Sequence, residues 1–193
     1  EVDQEAFVGA GISSLNLHGQ PEDSKGNITI LPLKMPQQWL KPRNWPQPDQ
    51  WLLTESQFHA QFPHDVHARE DEESQWERGK AVYSGSFDTQ KEDSLVLPGI
   101  KDWPEGRYVL VIEAQDKFGS KVKQERTFTV YRSGGKQTPV NQQLWKKQAG
   151  GECQPGEEAK VLLGAALEGQ WVLAEVEWQK KIVRRQWLPM NPV

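Results

Sequence analysis

The sequence predicts an all-β protein built around a β-sandwich, and three observations carry that reading. Residues 106–130, "GRYVLVIEAQDKFGSKVKQERTFTV", alternate apolar and polar residues on both sides of a D-x-x-G turn. Nine Trp and thirteen Pro against two Met suit short strands and rigid turns better than helices. Turn-rich segments also punctuate most of the chain at short intervals.

The 106–130 stretch reads as the last hairpin of the sandwich. Tyr108, Leu110, Ile112 and Ala114 lie at period two on one strand face, while Val109 and Val111 fill the other face near its start. Asp116 can bond to its own turn and Gly119 tolerates a positive φ, which suits a four-residue loop. The returning strand places Lys121, Lys123, Glu125, Thr127 and Thr129 on one face, expected to be solvated. Its other face gains apolar residues only at Phe128 and Val130.

Upstream, "ISSLNLHGQPEDSKGNITILPLKMP" reads as a strand, a polar turn around Pro21-Glu22-Asp23, and a second strand with Ile28 and Ile30 on one face. "QQWLKPRNWPQPDQW" has no period and is expected to be an extended loop. One helix is predicted in "LTESQFHAQFP". Thr54 and Gln57 make a capping box, Leu53 and Phe58 are spaced for a hydrophobic staple, Phe58 and Phe62 form a stripe, and Pro63 stops it. The run from Arg69 to Arg78 reads as a solvated strand or loop. "KAVYSGSFDT" and "DSLVLPG" read as strands. Residues 134–141 read as a linker.

After it, "PGEEAKVLLGAAL", "GQWVLAEVEWQ" and "KKIVRRQWL" read as three strands. The expected inward sets are Ala159, Val161, Leu163 and Ala165 on the first and Val172, Ala174, Val176 and Trp178 on the second. Val183 and Trp187 share a less clear face on the third. Three strands cannot make both layers of a sandwich, so an apolar face is expected to stay open, to be covered by the first domain or a neighbouring chain.

Composition excludes some functions. Net charge is −4 with 26% charged residues, so no basic nucleic-acid footprint is present. No apolar run approaches the ~20 residues of a membrane helix. One cysteine, Cys153, allows no internal disulfide. The start at Glu1, without Met or an apolar leader, reads as a mature chain or an excised fragment.

"GAGISS" at 9–14 lacks the third Gly and the helix of a phosphate cradle. His59, His64 and His67 with Glu70 carry ligand types for zinc. The preferred reading leaves His59 facing away from the Phe58–Phe62 stripe and the other two in the loop after Pro63. Trp39, Trp45 and Trp51 recur at six-residue spacing, which offers a sugar-stacking platform, against which packing of the rings is the commoner outcome. No catalytic, cofactor-binding or metal residue is assigned, no cofactor is expected, and the chain is expected not to be an enzyme.

Taken together, Gly106, Tyr108, Leu110, Ala114, Asp116, Gly119, Phe128 and Val130 resemble the close of a macroglobulin-like domain. "NITILPLKMP", the R-x-W of Arg43 and Trp45, and "SQFHAQFP" running into "REDEE" resemble bacterial alpha-2-macroglobulin-like proteins. "QPGEEAKVLLGAAL" followed by "VLAEVEWQKKIVRRQWLPM" is similar to the opening of the next such domain. The resemblance implies fibronectin- or immunoglobulin-like β-sandwiches in series, with residues 1–133 one macroglobulin-like domain, 134–141 a linker and 142–193 part of a second.

It further implies a non-catalytic scaffold segment of an endopeptidase inhibitor that traps proteases. The parent would be periplasmic or outer-membrane-associated, with neighbouring domains and target proteases as partners and neither nucleic acid nor membrane insertion. Many members carry a thioester in a C-G-E-Q motif. Here "GGECQPGEE" sets Gln154 directly after Cys153, too close for that bond, and a turn before a strand is expected. The rival reading is a secreted glycan-binding or cell-surface adhesion β-sandwich.

Overall fold

The computed structural model describes residues 1–16, 18–92, 94–115, 119–135, 138–149, 153–154, 156–167 and 169–190. Among the described residues the chain is mostly β, with one short α-helix. Its elements run β1 (Val2–Asp3), β2 (Ala10–Gly11), β3 (Lys25–Pro32), α1 (Glu55–Gln61), β4 (Tyr83–Asp88), β5 (Ser94–Leu95), β6 (Gly106–Gln115) and β7 (Lys121–Tyr131). Then follow β8 (Trp145–Ala149), β9 (Lys160–Gly164), β10 (Gln170–Trp178) and β11 (Lys181–Met190).

Two compact units result, Glu1–Met35 with Glu72–Gly135, and Pro36–Asp71 with Lys136–Val193. Residues 36–71, placed by the sequence reading in the first module, therefore group with the second. Long-range bonds hold them there: the Asn141 amide donates to the carbonyls of Pro36 and Gln37 at 3.1 and 2.5 Å. The segment expected as a linker is also partly built in, since Pro139 and Val140 are buried.

The first unit is a five-stranded sheet in the order β1-β7-β6-β3-β4, antiparallel except for the parallel pair β1–β7. The short strands β2 and β5 pair with each other, Ala10 opposite Leu95. Period two in β6 works as the sequence implies. Ile28 lies opposite Ile112 and Ile30 opposite Leu110, so these four share one face. With Tyr108 and Val130 they meet Leu97, Ile100 and Trp103, which cover that face. Burying each such side chain contributes roughly 1.5–3 kcal/mol, which makes this layer the main source of stability.

Two buried polar groups fix the cover to the sheet. The Gln4 amide donates to the carbonyls of Ile100 and Trp103 at 2.7 and 2.6 Å, adding to the bond that Ile100 O already accepts from Trp103 N in a 3-10 turn (Ile100–Asp102). The Tyr108 hydroxyl donates to the Pro104 carbonyl at 2.7 Å, pinning the chain where it enters β6. Burial pushes that phenol up to about 12.

Gly26 is required by close approach. A Cβ there would collide with the Glu113 carbonyl oxygen, the Ala114 Cα and the Phe87 ring. Gly119 takes φ +88° after the hairpin loop, as its turn demands; Asp116, Lys117 and Phe118 lie outside the described residues.

The other sheet face departs from expectation. Val109 and Val111 pack with Leu33, Leu31 and Trp76. Thr129, expected on a solvated face, is buried and accepts from Arg107 Nη1 at 2.7 Å. The charge run forms part of this cover: Arg107 binds both Glu73 oxygens at 2.7 and 2.9 Å, and Arg78 grips both Glu125 oxygens at 3.1 and 2.7 Å. Paired, planar ion contacts let charged residues border an apolar patch.

These pairs predict acid sensitivity. The Arg78 hydrogen bonds, then Lys123, hold the Glu125 carboxyl down to about 2. Burial raises Glu73, but Arg107 and Thr127 outweigh it and leave that group below its ordinary value. A depressed folded-state pKa stabilises above the unfolded value and is lost as pH falls through the folded one. Urea midpoints are therefore expected to drop between about pH 5 and 2, with Glu125→Gln flattening that limb.

In the second unit β8 pairs antiparallel with β9, and β10 with β11. β8, which the sequence reading omits, makes four strands in two separate ribbons. The expected inward sets hold poorly. Val161 is exposed, and in β10 Val176 and Trp178 are exposed while Val172 and Ala174 are half-buried. Trp171 and Leu173 lie on one face with Trp187, which sits opposite Leu173, and all three are exposed, as is Val183.

Candidate functional site

The sequence candidates of residues 36–71 fall in one neighbourhood of the second unit. The Pro- and Trp-rich stretch has no strand ladder, so side chains and isolated backbone bonds hold it. Arg43 Nη2 lies 3.0 Å from each of the carbonyl oxygens of Val66, His67 and Ala68 and donates to them. Lys41 N donates to the His64 carbonyl at 2.7 Å, and Val66 is buried beneath this loop.

Helix α1 forms as its sequence implies. Thr54 Oγ1 accepts from Gln57 N at 3.3 Å, and Gln57 Oε1 accepts from Thr54 N at 3.0 Å, completing the capping box. The chain turns out of the helix at Phe62, before Pro63. Only two turns long, the helix depends on its contacts. Phe58 meets Trp51 edge-on at 5.3 Å and Phe62 at 5.3 Å. Thr54→Ala is expected to cost about 0.5–2 kcal/mol through loss of the cap, read as the chemical-denaturation midpoint of the second unit.

The four predicted metal-type residues separate into three environments. His64 stacks on Trp39, ring centres 4.2 Å apart, and its Nδ1 lies 3.0 Å from the Trp39 carbonyl oxygen. His67 stacks on Trp51 at 3.9 Å, and its Nε2 is buried with no hydrogen-bond partner among the described residues. His59 Nε2 lies 3.2 Å from Glu70 Oε1. Rather than facing away from the aromatic stripe, the His59 ring meets Phe58 edge-on at 5.7 Å.

Glu55 is the residue that sequence reasoning missed. It joins His59 and Glu70, with ligand atoms of the three within 4.8 Å of one another. The signal was its place four residues before His59 on a helix. Glu70 is oriented by its surroundings: Ala68 N donates to Oε2 at 2.7 Å. Burial raises its pKa, but backbone N–H groups of Glu70, Ala68 and His67, together with the His59 imidazole, bring it below the ordinary value.

The three tryptophans share no exposed platform. Trp39 is 7% exposed and Trp51 is covered by His67, whereas Trp45 is 65% exposed. Cys153 is exposed and unpaired, its Sγ 3.8 Å from the Glu158 carbonyl oxygen, in the segment before β9. In the first unit a cleft of about 1000 Å³ is bordered by Lys25, Asp88, Lys91, Glu113 and Lys121. Lys25 and Lys91 there both lie against Asp88, at 3.0 and 3.9 Å. No described helix is long and apolar enough to cross a membrane. Comparison with protein-family models, with curated proteins and with solved structures gave no match.

Proposed function

We propose that the chain is a non-catalytic scaffold segment of an alpha-2-macroglobulin-like endopeptidase inhibitor, and that its first unit is an immunoglobulin-like β-sandwich. The observation that carries this reading is the join between strand order and Tyr108. In immunoglobulin-type sandwiches strands C, F and G share one sheet, and strands B and E lie in the other. In chain order β3, β4, β6 and β7 take the places of C, C′, F and G, with β1 beside G and β2–β5 as the B–E pair. Such domains also carry a tyrosine at the start of F whose hydroxyl bonds to backbone a few residues upstream. The Tyr108–Pro104 bond has that form.

The macroglobulin-like motifs narrow the sandwich to its family, and with it to an extracytoplasmic parent, periplasmic or outer-membrane-associated. Its partners are neighbouring domains and the proteases that the full-length protein traps. Fold alone does not assign function, so the test is biochemical. Mixed with a panel of endopeptidases at equimolar ratio, this chain is expected to leave their activity on large and small substrates unchanged. Stoichiometric inhibition by this chain alone would overturn the scaffold reading.

One observation favours glycan binding as a second reading: Trp171 and Trp187, 63% and 58% exposed, share a face of the β10–β11 ribbon. Saturable quenching of Trp fluorescence by a polysaccharide, lost in Trp187→Ala, would support it.

A further inference from the structure

Between α1 and the loop that follows it, three side chains with metal-binding chemistry converge where a scaffold needs none. Glu55 and His59 lie one helical turn apart on one face of α1, and Glu70 comes back from the loop to meet them. We propose that Glu55, His59 and Glu70 form a binding site for a divalent transition-metal ion of the zinc class, which ties α1 to the 62–70 loop. The site is structural and independent of the scaffold reading.

Ligand type selects the class of ion. Imidazole nitrogen with carboxylate oxygen suits zinc and its first-row neighbours, whereas magnesium and calcium favour all-oxygen shells. Geometry agrees: bonds of about 2.1 Å in a tetrahedron place neighbouring ligand atoms about 3.4 Å apart. His59 Nε2 and Glu70 Oε1 stand at 3.2 Å, so an ion bridges them with little movement. His59 then binds as the neutral imidazole, its lone pair on Nε2 and its proton on Nδ1.

The surroundings hold the ligands in place. The second oxygen of Glu70 is fixed by Ala68 N–H, the kind of outer contact that orients a metal-binding carboxylate. The His59 ring is braced edge-on by Phe58. A separate observation points to the same place. The His67 ring centre lies 5.9 Å from that of His59, and its buried Nε2 has no hydrogen-bond partner among the described residues. A buried, unpaired imidazole nitrogen is costly, and an ion or its bound water beside His59 offers it a partner. An ordinary surface ion pair explains the His59–Glu70 contact alone, and exposed pairs contribute little. It explains neither the added carboxylate of Glu55 nor His67.

The test is titration of the metal-stripped 193-residue chain with Co²⁺, followed by visible absorption, and with Zn²⁺, followed by calorimetry and thermal melting. One ion per chain is expected, displacing no other, with a melting temperature that rises with Zn²⁺ concentration. Ca²⁺ and Mg²⁺ are expected not to compete. His59→Ala is expected to abolish the cobalt bands. Glu55→Gln, on an exposed helix position where folding is not at risk, is expected to weaken binding about tenfold, while His64→Ala and Cys153→Ser leave it unchanged. The proposal is overturned by absence of a saturable cobalt spectrum. It is equally overturned if binding persists in His59→Ala, is undiminished in Glu55→Gln, or disappears in Cys153→Ser, since the ion then sits elsewhere.

Discussion

Tyr108→Ala is expected to cost the first unit about 3–5 kcal/mol, the range for truncating a buried aromatic. The side chain is 1% exposed and does two jobs. Its ring packs between Trp103 and Phe128, centres 5.5 and 5.8 Å away, and its hydroxyl satisfies the Pro104 carbonyl. Tyr108→Phe separates them. It keeps the ring and removes the bond, for about 1–3 kcal/mol because a carbonyl loses its donor. If both variants lose equally, the hydroxyl is the anchor; if Phe is neutral, the ring alone matters and the bond to Pro104 is incidental. The phenol adds a pH signature of known sign. Its folded-state pKa of about 12 lies above the usual value of 10.0. Its contribution is thus whole below pH 10 and is lost as pH rises through 12, and Tyr108→Phe removes that alkaline limb.

Ile30→Ala is the second large effect, about 2–5 kcal/mol. Ile30 is in the central pair of the sheet, opposite Leu110 and Tyr83, and is 1% exposed. Strands on both sides hold the backbone, so the site collapses little and the cavity persists. Ile30→Val, one methylene smaller, is expected to cost about 0.5–1.5 kcal/mol. Urea denaturation of both variants with unchanged m-values measures the pair. Equal and small losses would mean that the Leu97–Trp103 segment does not close over this face.

Where one face of an element repeats a simple period, the sequence was a sufficient guide. The alternation of Tyr108, Leu110 and Ile112 and the Thr54–Gln57 box each depend on neighbours a few residues away, and both stand in the structure. What depended on distant partners was not legible. Nothing local in "QQWLKPRNWPQPDQW" announces that Arg43 reaches the 66–68 carbonyls or that Asn141 binds Pro36, contacts that only the folded chain brings together. Thr129 looked solvated because its neighbours on that face are charged, and only the position of Arg107 shows why it is buried. In β11 the period of two breaks at Val183, which the pairing with β10 skips, so the simple alternation expected there does not hold.

Two site features were present in the sequence and were passed over. The Pro104-Glu105-Gly106-Arg107-Tyr108 run sets a tyrosine four residues after a proline carbonyl at the start of a strand, which is the spacing its hydroxyl bond uses. Glu55 stands four residues before His59, the interval that brings side chains together on a helix. Convergence with Glu70, by contrast, depends on how the loop after Pro63 returns, and no local pattern encodes that path.

The central claim, that this is a serial scaffold of separately folded β units, is tested most directly by native-state hydrogen exchange resolved by amide. The account predicts two cooperative steps. Amides of β3, β6 and β7 open together with the 97–103 segment, and those of α1 and the 62–70 loop open with β8 and β9. A single step that includes every protected amide, or opening of residues 36–71 in common with β3 and β6, would contradict it.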